Sequence, residues 1–239
     1  MFGGIMMKVG VTDEVRRQSP GAVGGRERRL PLLPVIVVLL LFPVMTASSG
    51  AENMMTFGRD TVLVWNIRNA GFESHFVVRL ASFSPDIYFE WENEKTQGKV
   101  FIPQQDVANA KDYITSRFFA GGREIRSRNA TTIWLSRKIY ADLKEKKRVR
   151  YNLDGVATTY TLIGEDTMAV EVNQSVKELP VLIVDDGRGG ERWFLDCREN
   201  PLLMRHRLRN YDKILAGITT DRKDTLRWIK GRKLTHPPR

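Results

Sequence analysis

The chain has 239 residues, 42% hydrophobic and 28% charged, a composition that leaves room for a globular fold of one-domain size and for a partly basic surface. The formal charge of +10 is uneven: residues 52–204 carry 21 Lys/Arg against 22 Asp/Glu, and residues 205–239 carry 11 against 3. Cys197 is the only cysteine, which excludes an internal disulfide, so stability has to come from packing.

Residues 1–29 read as an N-terminal leader. Met1 to Gly25 is Gly-rich without an apolar period, and Met1, Met6 and Met7 leave the start open. Residues 30–51 have the parts of a secretory signal. Arg26, Arg28 and Arg29 stand before the apolar run Leu30 to Val44, and small residues, Ala47 to Ala51, stand after it. Charge stays on the cytosolic side while the apolar run partitions into the bilayer. Ser49 and Ala51 suit the small-residue positions of a cleavage site, which puts the cut after Ala51, with Ala47 as the other choice. The rival is an uncleaved anchor helix, but spanning needs roughly 20 apolar residues. This run is shorter and carries Pro31, Pro34 and Pro43. Arg28-Arg29 also fits a twin-arginine signal, though basic flanks contain such pairs by chance. The expectation is export, to the periplasm or beyond.

Residues 52–220 show the period-2 alternation of half-buried strands. Thr61 to Ile67 places Leu63, Trp65 and Ile67 on one side; Asn69-Ala70-Gly71 turns the chain into His75 to Phe83. Ile87 to Glu94 sets Phe89 and Trp91 against Tyr88, Glu90, Glu92 and Glu94. Gln97-Gly98 predicts a turn into Lys99 to Ile102, closed by Pro103. A short helix is expected over Asp106 to Tyr113, a loop at Ala120 to Arg123, and a strand over Thr131 to Leu135. Ser136 caps a helix over Arg137 to Lys146, with Ile139 and Leu143 on its apolar stripe.

Asp154-Gly155 predicts a type I′ hairpin between Val149–Leu153 and Val156–Ile163. Gly164-Glu165-Asp166 predicts the next turn, before Met168 to Val172. Strands follow at Pro180–Val184, Arg192–Asp196, Leu202–Leu208 and Tyr211–Thr219, with a flexible turn over Asp185 to Gly190. Together these predict a mainly β, or α+β, fold: a strongly curved or partly closed antiparallel sheet with one or two short helices. A doubly wound nucleotide-binding fold has no βα alternation to support it.

Few residues carry a chemical signature. Cys197 has no local signature of a nucleophile, and His75, His206 and His236 share no metal-ligand spacing. No catalytic residue, metal or cofactor is assigned. Glu90, Glu92 and Glu94 lie about 6.6 Å apart on one strand face. That spacing suits paired carboxylates of a glycan hydrolase, a hard-cation site, or a solvated face that keeps a sheet edge from mispairing. Asn129-Ala130-Thr131 and Asn173-Gln174-Ser175 are glycosylation acceptors only in a eukaryotic source. Residues 221–239 form a basic tail, in which Arg222, Lys223, Arg227, Trp228, Lys230, Arg232 and Lys233 suit an anionic membrane surface or envelope polymer. Export argues against nucleic acid as the partner.

Phe194-Leu195-Asp196, Asn200 to Arg205 and Ile218-Thr219-Thr220 resemble the closing strands of uncharacterised bacterial exported proteins. Trp134-Leu135-Ser136-Arg137 with Tyr140 and Leu143 carries the same likeness. Those proteins are similar, more distantly, to the curved sheets of periplasmic lipoprotein-carrier families. The likeness covers the C-terminal half of the domain and implies no activity and no site residues; the lipidation cysteine of anchored members is missing. The functional expectation is a non-enzymatic envelope protein, a binding, carrier or assembly module. Trp65, Phe89, Trp91, Ile133 and Val170 would line a concave sheet that holds an apolar ligand or a partner segment. The alternatives are a carboxylate-dependent glycan hydrolase and a structural protein docked to anionic lipid by its tail.

Overall fold

Alternating apolar residues and tight turns build the protein from hairpins, in a computed structural model that describes residues 57–220. β1 (Val62–Asn69) and β2 (Phe72–Ser82) are joined by Ala70 and Gly71 at φ 49° and 88°, the positive angles of a type I′ turn. β3 (Ile87–Asn93) buries Ile87, Phe89 and Trp91 and turns into β4 (Gln97–Ile102). The turn lies earlier than Gln97-Gly98: Asn93 Oδ1 accepts from the Lys95 and Thr96 amides at 2.9 and 3.0 Å. Gly98 belongs to the strand, where a Cβ would come within 2.9 Å of Trp91 Nε1 and 3.0 Å of the Arg123 carbonyl.

The first helix, α1 (Gln104–Asn109), starts earlier and is shorter than the pattern predicts, and Tyr113 belongs instead to β5 (Asp112–Tyr113). A 3-10 turn, Arg117–Phe119, leads to β6 (Glu124–Arg126). The strand expected over Thr131 to Leu135 is cut to β7 (Ala130–Thr131). Ile133 has φ 64°, which breaks the extended run, and Trp134 makes only an isolated bridge to Leu202. α2 (Arg137–Lys146) forms as its cap predicts: the Ile139 amide donates to Ser136 Oγ at 3.2 Å, and Lys147 closes the helix at φ 59°.

β8 (Arg148–Leu153) and β9 (Val156–Val172) flank Asp154 and Gly155 at φ 50° and 83°. No turn occurs at Gly164-Glu165-Asp166; β9 continues through it, with Ile163 as the extra residue of a bulge against Ile183 and Val184 of the neighbouring strand. The chain reverses at Asn173 and Gln174, φ 48° and 67°, into β10 (Ser175–Asp185). β11 (Glu191–Leu195), β12 (Leu203–Leu208) and β13 (Tyr211–Thr219) complete the fold.

The strands form one sheet in the order β6-β4-β3-β2-β1-β13-β12-β11-β10-β9-β8-β5-β7. β13 pairs with β12 as far as Ile214, then with β9 in parallel at Gly217 and Ile218. That change of partner bends β9 to β13 into a partly closed ring, as the curved-sheet expectation requires. Asn173 stitches the seam: its amide N–H donates to the Ile218 carbonyl at 3.0 Å, and its side chain exchanges two 2.8 Å bonds with Thr220. One core cluster holds Trp65, Phe89, Trp91 and Trp134; a second, beneath α2, holds Leu143, Tyr160 and Phe194. Each such side chain contributes about 1.5–3 kcal/mol on burial. Among the described residues no helix is long and apolar enough to cross a membrane.

Candidate functional site

Two arrangements of polar side chains follow from the strand register, one on the surface and one inside. On the surface, cross-strand pairing lays Arg79 of β2, Glu90 of β3, Lys99 of β4 and Glu124 of β6 side by side. The signs alternate along this row, and opposite charges directly across a sheet attract. Lys99 Nζ lies 2.9 Å from Glu90, Arg79 lies 4.0 Å from it, and Tyr88 donates to Glu124 at 3.3 Å. A parallel row places Val77, Glu92 and Gln97 together. A third brings Arg126 over the Phe101 ring at 4.6 Å, with Tyr88 alongside. The first two rows wall a groove of about 470 Å³, completed by Arg123.

Glu90 and Glu92 therefore share a groove, whereas Glu94 lies past the end of β3. Glu90 is engaged by two cations and is not a free carboxyl.

The interior arrangement was not visible as a motif. Asp186, in the β10–β11 loop, points inward; its Oδ1 accepts from the Arg188 and Gly190 amides at 2.9 and 3.0 Å. Its Oδ2 lies 3.5 Å from Arg192 Nε and 3.8 Å from His206 Nε2. Both charged partners are almost fully enclosed, Arg192 at 4% and Asp186 at 2% side-chain exposure. Burial pushes the Asp186 pKa up, but His206, the two loop amides and Arg192 outweigh it and bring it to about 2. Burial, together with Arg192 and Lys213, lowers the pKa of His206 against the pull of Asp186.

Register extends this group. Arg192 of β11 lies across from His206 of β12, which lies across from Lys213 of β13. Lys213 Nζ lies 4.9 Å from the Trp65 ring centre and 5.9 Å from that of Phe119, among aromatic faces that attract a cation. Burial, then repulsion from Arg192, lowers its pKa to about 7. Tyr151 and Tyr160 stack at 3.7 Å, and Tyr113 lies under the Arg192 guanidinium at 5.5 Å. The signal for these residues was an interruption of pattern: Arg192 and Lys213 occupy the same strand phase as the buried Phe194 and Leu215.

The residues proposed to line an apolar site, Trp65, Phe89, Trp91, Ile133 and Val170, all belong to one core cluster and are at most 2% exposed. They pack against one another and against their neighbours, and Trp91 alone of them also borders the groove. Cys197 is buried in the same cluster, and burial pushes its thiol pKa up. His75 meets Asn66 at 2.9 Å on the surface. Among the described residues no three His, Cys, Asp or Glu side chains converge as a metal site would need. The tail residues Arg222, Lys223, Arg227, Trp228, Lys230, Arg232 and Lys233, and the leader, lie outside the described residues. No family model, curated protein or solved structure matches this chain significantly.

Proposed function

We propose that the chain is a non-catalytic binding and assembly module of the cell envelope, exported after loss of its leader, that holds an extended partner segment along the charged groove. The observation that carries this reading is the alternating row Arg79–Glu90–Lys99–Glu124 on the outer face of β2, β3, β4 and β6. An extended segment laid across these strands, with charges that alternate in sign at every second residue, presents both signs on one face to the row. Close packing of the five apolar residues favours a surface site over an internal one. The engagement of Glu90 by Lys99 and Arg79 favours a recognition row over a hydrolytic pair.

The test uses the full chain and a fluorescein-labelled decapeptide in which Lys and Glu alternate at every second position with threonine between them, read by anisotropy. Saturable binding is expected. The double substitution Lys99→Glu with Arg123→Glu should weaken it about tenfold or more, as loss of charge complementarity implies. Equal binding of an all-threonine peptide, or no effect of the double substitution, would reject the groove. Release of sugars from envelope glycan that disappears in Glu90→Gln would restore the hydrolase reading.

A further inference from the structure

The charged side chains that wall the surface groove are equal in number but not in engagement: Arg79, Lys99 and Arg123 stand against Glu90, Glu92 and Glu124. Lys99 and Arg79 hold Glu90 at 2.9 and 4.0 Å, and Glu124 accepts from the Tyr88 hydroxyl at 3.3 Å. Among the described residues, the side chains of Glu92 and Arg123 make no ion pair and no hydrogen bond. Gln97, directly across from Glu92, has an equally unengaged side-chain amide.

Main-chain bonds fix where these residues stand. The Gly122 amide donates to the Gln97 carbonyl at 2.9 Å, and the Lys99 amide donates to the Arg123 carbonyl at 3.1 Å. Arg123 is thus anchored through its backbone while its guanidinium stays uncommitted. The floor beside it is bare main chain: a Cβ at Gly122, where φ is 73°, would meet nothing within 4 Å, and Gly98 carries no side chain. Glu92 and Arg123 stand two strand spacings apart, about 10 Å between their main chains.

An incoming charge gains little from a group already neutralised by its neighbour, because the new contact weakens the old one. An unpaired charge keeps its whole field. Glu92 and Arg123 keep theirs, and they are opposite in sign.

We infer that Glu92 and Arg123 select the partner of the groove: an extended segment with a Lys or Arg side chain over Glu92 and, two residues along, an Asp or Glu side chain facing Arg123. This rests on the reading of the groove as a site for such a segment. Residues i and i+2 of an extended chain point to one side about 7 Å apart, and the long Arg123 side chain spans the remainder. Gln97, between the two charges, offers both a donor and an acceptor to a polar group of the segment. A segment of one sign satisfies only one of the two charges.

The experiment takes the full chain and fluorescein-labelled decapeptides with threonine at alternate positions, read by anisotropy. One peptide has Lys at the other positions, one has Glu, and one has the two in alternation. The mixed peptide is expected to bind most tightly. Glu92→Gln should weaken the Lys peptide about threefold or more and leave the Glu peptide bound as well or better; Arg123→Gln should do the converse. Glu178→Gln and Arg209→Gln remove exposed charges outside the groove and should leave the order of the three peptides unchanged. Losses that fall equally on the Lys and Glu peptides, or that the remote substitutions reproduce, overturn selection by Glu92 and Arg123 while the groove stands. Failure of all three peptides to bind the unsubstituted chain removes the groove itself, and the selection with it.

Discussion

Lys213 Nζ lies 3.9 Å from the centre of the Phe76 ring, closer than to any other ring it meets. The ring face attracts a cation, by about 0.5–2 kcal/mol in such settings. Removal from water acts the other way and more strongly, which is why the pKa drops to about 7 rather than rising. Lys213 is also paired with no carboxylate among the described residues. The fold therefore keeps a lysine where an apolar residue would pack at least as well.

The folded pKa of Lys213 is below its unfolded value of 10.5, so the unfolded chain holds the extra proton between about pH 7 and that value. Stability should rise with pH across this window, and the penalty should be complete below it. Lys213→Met should remove that slope. At pH 6 the variant is expected to be more stable than the parent by roughly 3 kcal/mol, with the gap closing towards pH 10. Urea unfolding at the two pH values checks this; a gap that does not change with pH would refute it.

Asp186 gives the opposite sign. Its carboxyl is lowered from 3.8 to about 2, so the stabilisation it supplies is complete above the unfolded value and is lost as pH falls through about 2. That is worth roughly 2 kcal/mol. Asp186→Asn should lack this acid limb. At neutral pH it should cost about 3–5 kcal/mol, because Arg192 then stays buried without a counter-charge. Denaturant titrations between pH 2 and pH 6 separate the two variants.

The β10–β11 loop offers an internal control. Gly187 and Gly189 both have positive φ, 68° and 81°, but only Gly187 would press a Cβ against backbone. Gly189→Ala should cost about 1 kcal/mol, the price of the left-handed conformation alone. Gly187→Ala adds a clash with the Thr159 carbonyl and should cost about 2–3 kcal/mol, since the loop must shift or strain. Similar losses in the two variants would show that the loop yields freely.

Cys197 should be inert in the folded protein. It is 7% exposed, and burial raises its pKa, so little thiolate is present at neutral pH. Reaction with an aromatic disulfide reagent is expected to be about a hundredfold slower or more than in urea. A fast reaction under native conditions would mean that the surrounding core opens readily.

Strand phase was legible because period-2 alternation is a local property: Phe89 and Trp91 could be assigned inward from their neighbours alone. So were the two turns with positive-φ chemistry, Ala70-Gly71 and Asp154-Gly155, and the Ser136 cap. Glycine inside strands was misread. Gly98 is small because Trp91 of β3 and the Arg123 carbonyl crowd it, and Gly164 follows the bulged Ile163 of its own strand. Both constraints come from strand pairing, so each glycine carried the local signature of a turn.

What the amino-acid order determined by itself is the sheet class, the Ala70-Gly71 and Asp154-Gly155 hairpins and the inward phase of β1 and β3, since these depend on contacts a few residues long. Tertiary structure alone decided which strands became neighbours. That choice put Arg79, Glu90, Lys99 and Glu124 in one row and Arg192, His206 and Lys213 in another. Charges separated by tens of residues acquire their energies only when register brings them within a few ångströms, because Coulomb interactions in water are screened beyond about 10 Å.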